Sequence, residues 1–385
     1  MVSSSASSPL SVFLLADDLT GACDAGVAFA SRGLRTEVSL APFHGSAQGV
    51  MVHAVATETR DALPLEAQAR LRKLIMLDEV VCAQHLFKKV DSVFRGNTYL
   101  EVALCAREAL CDVVVIAPSS PMLGRTSVDG VMSIKDIAGN KTVAVFDGLI
   151  GEDMSPRLVR RGMGVPAIAG AMQTQCSGGR PVFYCDAVSE EDLQDVVEAA
   201  LLLGGRILWI GSAGLAHALA KKLAPPYESL LPRESVHGSV LFFIGSNHEV
   251  TRKQLKALQS RMAMEAYDIR DTLGTYRAKL RYEVIQLDPG RSVEADVLRA
   301  VESFKSETVG CLMMTGGDTA MLVCRALGVH SLRLHDEFAP GLPCATIEGG
   351  IFDGVSAILK SGGFGDEDVL CRIALAFSAR PEVIQ

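Results

Sequence analysis

The chain has 385 residues, too many for one compact core and enough for two domains. Hydrophobic residues make up 49% and charged residues 21%, the balance of a globular protein, and the formal charge of −8 argues against a nucleic-acid partner. No apolar stretch reaches the ~18 residues a membrane span needs, and the ten cysteines form no C-x-x-C pair, as expected of reduced core residues in a cytoplasmic protein. The eight histidines show no zinc spacing, so no metal-ligating residues are expected.

The start, MVSSSASSPL, has neither the basic region nor the apolar core of a signal peptide, and residues 1–10 are expected to be a disordered tail. Short β-rich runs then alternate with helix-like segments. SVFLLA (11–16), TEVSL (36–40), MVHAVA (51–56), HLFKKV (85–90), DVVVIA (112–117), PVFYC (181–185) and RILWIG (206–211) read as strands. SVLFFIG (239–245), YEVIQL (282–287), VGCLMMT (309–315) and CATIE (344–348) follow. Strands without strict alternation, separated by helices, predict an α/β protein of two consecutive domains with mainly parallel sheets. The segment APPYESLLPRESVHG (224–238), with three prolines and no steady period, marks the boundary between domains 11–230 and 236–385.

Ligands of open parallel sheets bind beyond the carboxyl ends of the strands, so chemistry is sought there. After the first strand stand Asp17 and Asp18. The helix that follows carries Leu19, Ala22, Cys23, Gly26, Val27 and Ala30 as a core-facing stripe, with Thr20 and Asp24 on the other side. One aspartate satisfies the need for a helix cap; the second is left over as a candidate for catalysis. A HAD-type phosphatase needs D-x-D at this place, and the order D-D-L-T excludes it.

After HLFKKV come Asp91, Ser92 and Arg95, with Gly96-Asn97 opening a helix whose stripe is Tyr99, Val102, Ala103, Ala106 and Leu110. Arg95 offers a planar fork to a carboxylate, or pairs with Asp91 across the turn. One of Lys88 and Lys89 should face the same site. The loop PSSPMLGRTSVDG (118–130) adds a second cationic fork at Arg125, or is only a turn.

Three glycine junctions mark the second half: Gly245-Ser246, Thr315-Gly316-Gly317-Asp318-Thr319, and Lys360-Ser361-Gly362-Gly363-Phe364-Gly365. Glycine lets backbone N–H groups approach phosphate oxygens, and a helix N-terminus adds a favourable dipole. None of the three is a Walker A or a Rossmann fingerprint. Glu249, near the first of these helix starts, would repel phosphate unless it points away.

Taken in order, ADDLTGA (16–22), K-x-D-S-x-x-R-G-N (Lys89 to Asn97), G-R-T-x-x-x-G (Gly124 to Gly130) and G-S-A-G-L (211–215) resemble motifs of the four-carbon acid sugar kinases. So do G-S-x-x-x-x-T-x-x-Q (Gly245 to Gln254), G-G-D-T-A (316–320) and K-S-G-G-F-G (360–365), and the resemblance runs over residues 11–375. It implies an N-terminal sugar-acid-binding domain, a C-terminal nucleotide-binding domain and an active site in the interdomain cleft. The implied reaction phosphorylates a four-carbon acid, such as threonate, erythronate or 3-oxo-tetronate, from ATP with Mg²⁺. ATP contacts are implied for Ser246, Gly316, Gly317, Asp318, Thr319, Gly362 and Gly363, and sugar-acid contacts for Asp17, Asp18, Asp91, Ser92 and Arg95.

A mechanism consistent with both readings has Asp18, or else Asp17, as base or orienting group for the attacking hydroxyl. Arg95, helped by Lys89 and Arg125, would hold the substrate carboxylate. Mg²⁺ would take phosphates, water and few protein carboxylates as ligands. The expected partners are the small acid and ATP, with no nucleic acid and no membrane; a homodimer is left open. Val93-Phe94 stand where the family commonly has Thr-Leu, and Asn247-His248-Glu249 where a small hydroxyl residue is usual. A ribokinase-type kinase would account for T-G-G-D but leaves DDLTG and DSVFRGN unused. A non-catalytic binder of sugar acid and nucleotide is the other alternative.

Overall fold

The computed structural model describes residues 11–40, 49–136, 139–174, 180–225, 227, 238–262, 266–268, 282–288, 290–302, 304 and 308–377. The expected tail at 1–10 and most of the expected linker at 224–238 lie outside them. In chain order the strands are Val12–Ala16 (β1), Thr36–Leu40 (β2), Val52–Ala56 (β3), His85–Lys89 (β4), Val113–Ala117 (β5), Arg125–Val128 (β6), Val131–Asp136 (β7), Gly139–Ala144 (β8) and Arg157–Val159 (β9). They continue with Val182–Cys185 (β10), Ile207–Gly211 (β11), Ser239–Ile244 (β12), Ala266–Asp268 (β13), Tyr282–Gln286 (β14), Val309–Thr315 (β15), Ser331–Ala339 (β16), Leu342–Glu348 (β17) and Ser356–Lys360 (β18). Helices fill most connections, as the alternating pattern predicts, and the protein is α/β with mainly parallel strands. Among the described residues no helix is long and apolar enough to cross a membrane.

Contacts divide the chain into two compact units. The first comprises Met1–Asp17, Leu34–Thr36 and His44–Pro226; the second comprises Asp18–Gly33, Glu37–Phe43 and Tyr227–Gln385. In the first unit the strands lie in the order β3-β1-β4-β11-β5-β10-β9, every adjacent pair parallel. All five residues of β1 are buried, because an inner parallel strand is covered on both faces. Its register sets Ala16 beside Ala56 and Lys89, so the residues that follow β1, β3 and β4 emerge together at one carboxyl edge. A separate antiparallel sheet, β6-β7-β8, is anchored by Asp186, which accepts from Ser127 Oγ at 2.8 Å and the Gly130 N–H at 3.0 Å.

The second unit orders its strands β13-β14-β12-β15-β18-β17-β16, parallel as far as β18 and antiparallel beyond. Ile244 is in register with Thr315, and Thr315 with Lys360, which brings all three glycine junctions to one edge. Phe242, Leu258, Met313, Ile358 and Ile373 lie in the core beneath it.

Two expected stripes need correction. The helix Leu19–Ala30 packs on β16 and on the helix Gly317–Ala326, and every residue except Asp24 is buried, Thr20 included. Its glycines and alanines let neighbours approach on several sides, so it has no solvent face at Thr20. The helix after DSVFRGN is Thr98–Glu108; Val102, Ala103 and Ala106 are buried, but Ala109 is extended and Leu110 lies beyond the helix, exposed.

Candidate active site

In the first unit Asp17 follows β1 directly and is 2% exposed. Arg60 clasps it, Nε donating to Oδ2 at 2.8 Å and Nη2 to Oδ1 at 2.9 Å. The Arg60 loop, after β3, is held by its backbone. The Thr59 and Arg60 N–H groups donate to the Asp17 carbonyl at 3.1 and 3.4 Å, and Asn97 Nδ2 donates to the Thr59 and Ala62 carbonyls at 2.8 Å. Gly96, at φ +60°, passes so near the Arg60 carbonyl that a Cβ would collide with it.

Arg60 Nη2 also lies 3.8 Å from Asp91 Oδ1, and Asp91 takes the Arg95 fork at 3.0 and 2.7 Å. The result is an alternating row of Asp17, Arg60, Asp91 and Arg95. Burial works to raise both carboxyl pKa values, but the cations outweigh it. Arg60, with Lys88 and Lys89, holds Asp17 below the usual carboxylate range, and Arg95 with Arg60 does so for Asp91. Asp17 is therefore a poor proton acceptor at neutral pH. Burial likewise opposes the Lys88 charge, yet Glu101, whose Oε2 is 2.6 Å from Nζ, and Asp17 outweigh it and hold Lys88 above its ordinary value.

In the second unit Asp18 caps the helix Leu19–Ala30. Its Oδ1 accepts from the Gly21 N–H at 2.7 Å and its Oδ2 from Thr20 Oγ1 at 2.9 Å. A Cβ on Gly317 would stand 2.7 Å from Asp18 Oδ2 and 3.4 Å from Thr20 Oγ1, so any larger residue would displace the carboxylate. Gly317 begins a helix with no side-chain cap, after Gly316 at φ +95°. The Thr315 and Thr319 hydroxyls are buried without a partner among the described residues. Each such orphan costs about 1–3 kcal/mol unless something takes it up.

Ser246 closes the cradle. A Cβ on Gly316 would lie 3.6 Å from both Ser246 Cβ and Thr319 Oγ1, and one on Gly362 would collide with Ser246 Oγ. Gly363 faces the His248 ring, which a Cβ there would meet at 3.3 Å. Orphan hydroxyls, an uncapped helix N-terminus and glycines that leave the backbone bare fit a polyphosphate. Glu249 does not oppose it: its carboxylate pairs with Lys253 at 2.8 Å, both side chains exposed.

The structure thus gathers Asp17, Asp91, Arg95 and Lys89 at one edge of the first unit. It gathers Asp18, Ser246, Gly316, Gly317, Thr319, Gly362 and Gly363 at one edge of the second. Asp318 is exposed in the first turn of its helix, and Ser92 is half-buried with no hydrogen bond among the described residues. Arg125 closes its own hairpin, donating to the Leu123 and Lys135 carbonyls. The Arg95 fork is spent on Asp91, with the side chain 62% exposed. Arg60 was not among the expected site residues. Its signal was T-E-T-R directly after MVHAVA, at a strand end like the others.

One unit thus ends its strands in a carboxylate–guanidinium row and the other in bare glycine turns, two chemistries suited to different ligands. Residues 12–219 match the family model of a sugar-binding N-terminal domain, and residues 274–370 that of a nucleotide-binding C-terminal domain. The D-threonate kinase of Bordetella bronchiseptica is 30% identical over 407 residues, covering 95% of this chain and 97% of its own. That of Salmonella typhimurium is 29% identical over 424 residues, covering 94% and 97%. Relatives named D-erythronate kinase, from Heliobacterium modesticaldum, and 3-oxo-tetronate kinase, from Haemophilus influenzae, are 24% identical, covering 94% and 92% of this chain and 95% and 97% of theirs. A solved Salmonella typhimurium structure shares the fold at TM-score 0.75 and 20% identity, covering 96% of this chain and all of that one. The chain belongs to the four-carbon acid sugar kinase family.

Proposed function

We propose that this chain transfers the γ-phosphoryl group of ATP to a hydroxyl of a four-carbon sugar acid, with D-threonate the first acid to test because its kinases match at the higher identity. The observation that carries the reading is Asp18. It is a strand-end carboxylate, 8% exposed, standing over Gly317 in the unit that holds the orphan hydroxyls. Phosphoryl transfer asks the protein mainly for positioning and charge neutralisation. In this reading Asp18 Oδ2 holds the attacking hydroxyl and takes its proton, while Thr20 orients that same oxygen and the Gly21 N–H fixes Oδ1. The Gly316–Thr319 turn, Ser246 and the Gly362 and Gly363 amides hold the phosphates.

Asp17, kept ionised by Arg60, takes no proton; it fixes Arg60 in place, and the exposed Arg95 guanidinium turns from Asp91 to the acid's carboxylate, with Lys89 behind. Mg²⁺, when bound, would neutralise charge on the phosphates. Among the described residues no three ligating side chains cluster, so the phosphates and water would hold it, with Asp318 and Thr319 as the protein's oxygen donors. Retention in the cytoplasm fits the free thiols seen at nine cysteines.

Asp18→Asn separates the two tasks of this residue, because Asn caps a helix about as well as Asp. Turnover, followed as ADP release over D-threonate, D-erythronate and 3-oxo-tetronate, should fall about 10²–10⁴-fold, with the melting temperature within about 2 °C of wild type. Near-normal turnover would sink the base assignment, and no ADP release from the wild type with any acid would sink the function. Asp318→Asn should cost less than Asp18→Asn; the reverse order favours a ribokinase-type mechanism.

A further inference from the structure

The turn Ser361–Asp366 follows β18 with its carbonyls turned inward. Lys360 Nζ, fully buried, donates to the Ser361 and Gly362 carbonyls at 3.1 Å, and to the Phe364 carbonyl and Thr251 Oγ1 at 3.2 Å. Thr251 Oγ1 donates onward to the Gly362 carbonyl at 2.8 Å. Gln254 Nε2 donates to the carbonyls of Phe364, Gly365 and Asp366 at 2.9, 3.0 and 2.9 Å. Thr251 and Gln254 are three residues apart on the helix Glu249–Met262, so both reach the turn from one face.

Three buried side chains thus capture five of the turn's six carbonyls. The Phe364 N–H closes the turn on the Ser361 carbonyl at 3.1 Å, and N–H groups left outside it are donors for an anion. The amides of Gly362 and Gly363 have no acceptor among the described residues. The Lys360 carbonyl accepts the Gly316 N–H at 2.9 Å, which ties this turn to the glycines of the next strand end.

The ammonium has carbonyls around it but no carboxylate partner among the described residues. Burial alone pushes its pKa down to about 7. The titratable groups on the surrounding elements are His248, Glu249, Arg252, Lys253, Lys256 and Arg261 before and on the 249–262 helix, Cys311 on β15 and Asp318 after it, Cys344 and Glu348 on β17, and Asp366, Glu367 and Asp368 in and after the turn, with Arg372 beyond. Glu249 is paired with Lys253, and Asp366 with Arg372 at 2.8 Å. A phosphate at the Gly362 and Gly363 amides would supply the missing negative charge one or two residues from the ammonium.

We propose that Lys360 is a positioning residue for nucleotide binding: with Thr251 and Gln254 it aims the Gly362 and Gly363 amides at a phosphate, and its charge makes nucleotide affinity depend on protonation. This rests on the kinase reading above. Lys360 touches no substrate, and acts through the turn it holds.

The test is calorimetric binding of Mg²⁺-ADP between pH 7.5 and 9, where the nucleotide's phosphates are already ionised, in two buffers of different ionisation heat. Wild-type affinity should fall as pH rises, with uptake of a fraction of a proton on binding. Lys360→Met should bind ADP about tenfold or more weakly at pH 7.5, lose the pH slope and the proton uptake, and keep the KM for the acid. Thr251→Val, which retains the ammonium but loosens the turn, should bind several-fold more weakly, on the order of one lost hydrogen bond, with the pH slope retained. That variant carries the test alone if Lys360→Met does not fold. Wild-type affinity and slope in folded Lys360→Met, or unchanged affinity in Thr251→Val, overturns this inference alone. A wild-type chain that binds no ADP overturns the kinase reading and this inference with it.

Discussion

Gly317→Ala tests whether the Asp18 carboxylate and the nucleotide turn form one working site. The new methyl would stand 2.7 Å from Asp18 Oδ2, and the carboxylate would have to retreat about 0.5–0.7 Å to reach an ordinary contact. It cannot do so freely, because Oδ1 is held by the Gly21 N–H at 2.7 Å and Oδ2 by Thr20 at 2.9 Å. Loss of the cap costs about 1 kcal/mol, while alanine in place of glycine at a helical position returns about 0.5–1 kcal/mol. The two nearly cancel, so the melting temperature should stay within about 3 °C of wild type. Activity should not stay, since a displacement of this order at reacting groups costs about 10–100-fold. The assay is ADP release with the acid held saturating, beside a thermal melt. Gly170→Ala is the control. It sits in the helix Val165–Gln173 with nothing within 4 Å of the new methyl, and should gain about 0.5–1 kcal/mol with activity unchanged. Wild-type turnover in Gly317→Ala would refute the reasoning.

Arg60→Met leaves the buried Asp17 carboxylate without its fork, and should cost about 2–3 kcal/mol, or roughly 5–10 °C in melting temperature, with a raised KM for the acid. Arg60→Lys restores charge but not the bidentate geometry, so it should recover only part of either; full recovery would show that charge alone matters. The folded pKa of Asp91 is depressed, so its contribution is complete above the unfolded value of about 3.9 and is lost as pH falls through the folded one. In denaturant melts, the stability gap between wild type and Asp91→Asn should hold from pH 5 to 8 and narrow below about pH 4. A gap as wide at pH 3 as at pH 6 would count against the Asp91–Arg95 pairing.

Every run read as a strand from the sequence is a strand, most of them because inner parallel strands announce themselves as apolar runs; CATIE lies in the antiparallel β17. What escaped is of another kind. RTSV, VMSIKD and GNKTVA pair in a small antiparallel sheet and carry too little apolar residue to stand out. SLRLHDEFA was hidden by charges on an antiparallel strand whose later residues are only half-buried. The glycine turns were legible because bare backbone at a strand end has a physical use that other residues cannot serve. Arg60 was less legible, since T-E-T-R holds no glycine turn and its arginine meets Asp17 only across 43 residues of chain. That Leu19–Ala30 packs within the second unit could not be read at all, because a helix of small residues says that something comes close and not what does.

Two adjacent like charges at the end of a buried strand are tolerable only if each is answered separately. Asp18 is extended, at φ −144° and ψ 167°, and consecutive side chains on an extended backbone point to opposite faces. Asp17 is therefore directed to Arg60 and the lysines of the first unit, while Asp18 turns to Thr20, Gly21 and Gly317 of the second. Their surroundings divide the work as well. A carboxylate with both oxygens in an arginine fork is fixed as a charge, whereas Asp18 takes a hydroxyl and a backbone amide, both neutral donors. The separation depends on the two residues being neighbours. With one residue inserted between them, as in D-x-D, the period of two would carry the second carboxylate round to the Asp17 face, and two like charges would compete for one guanidinium.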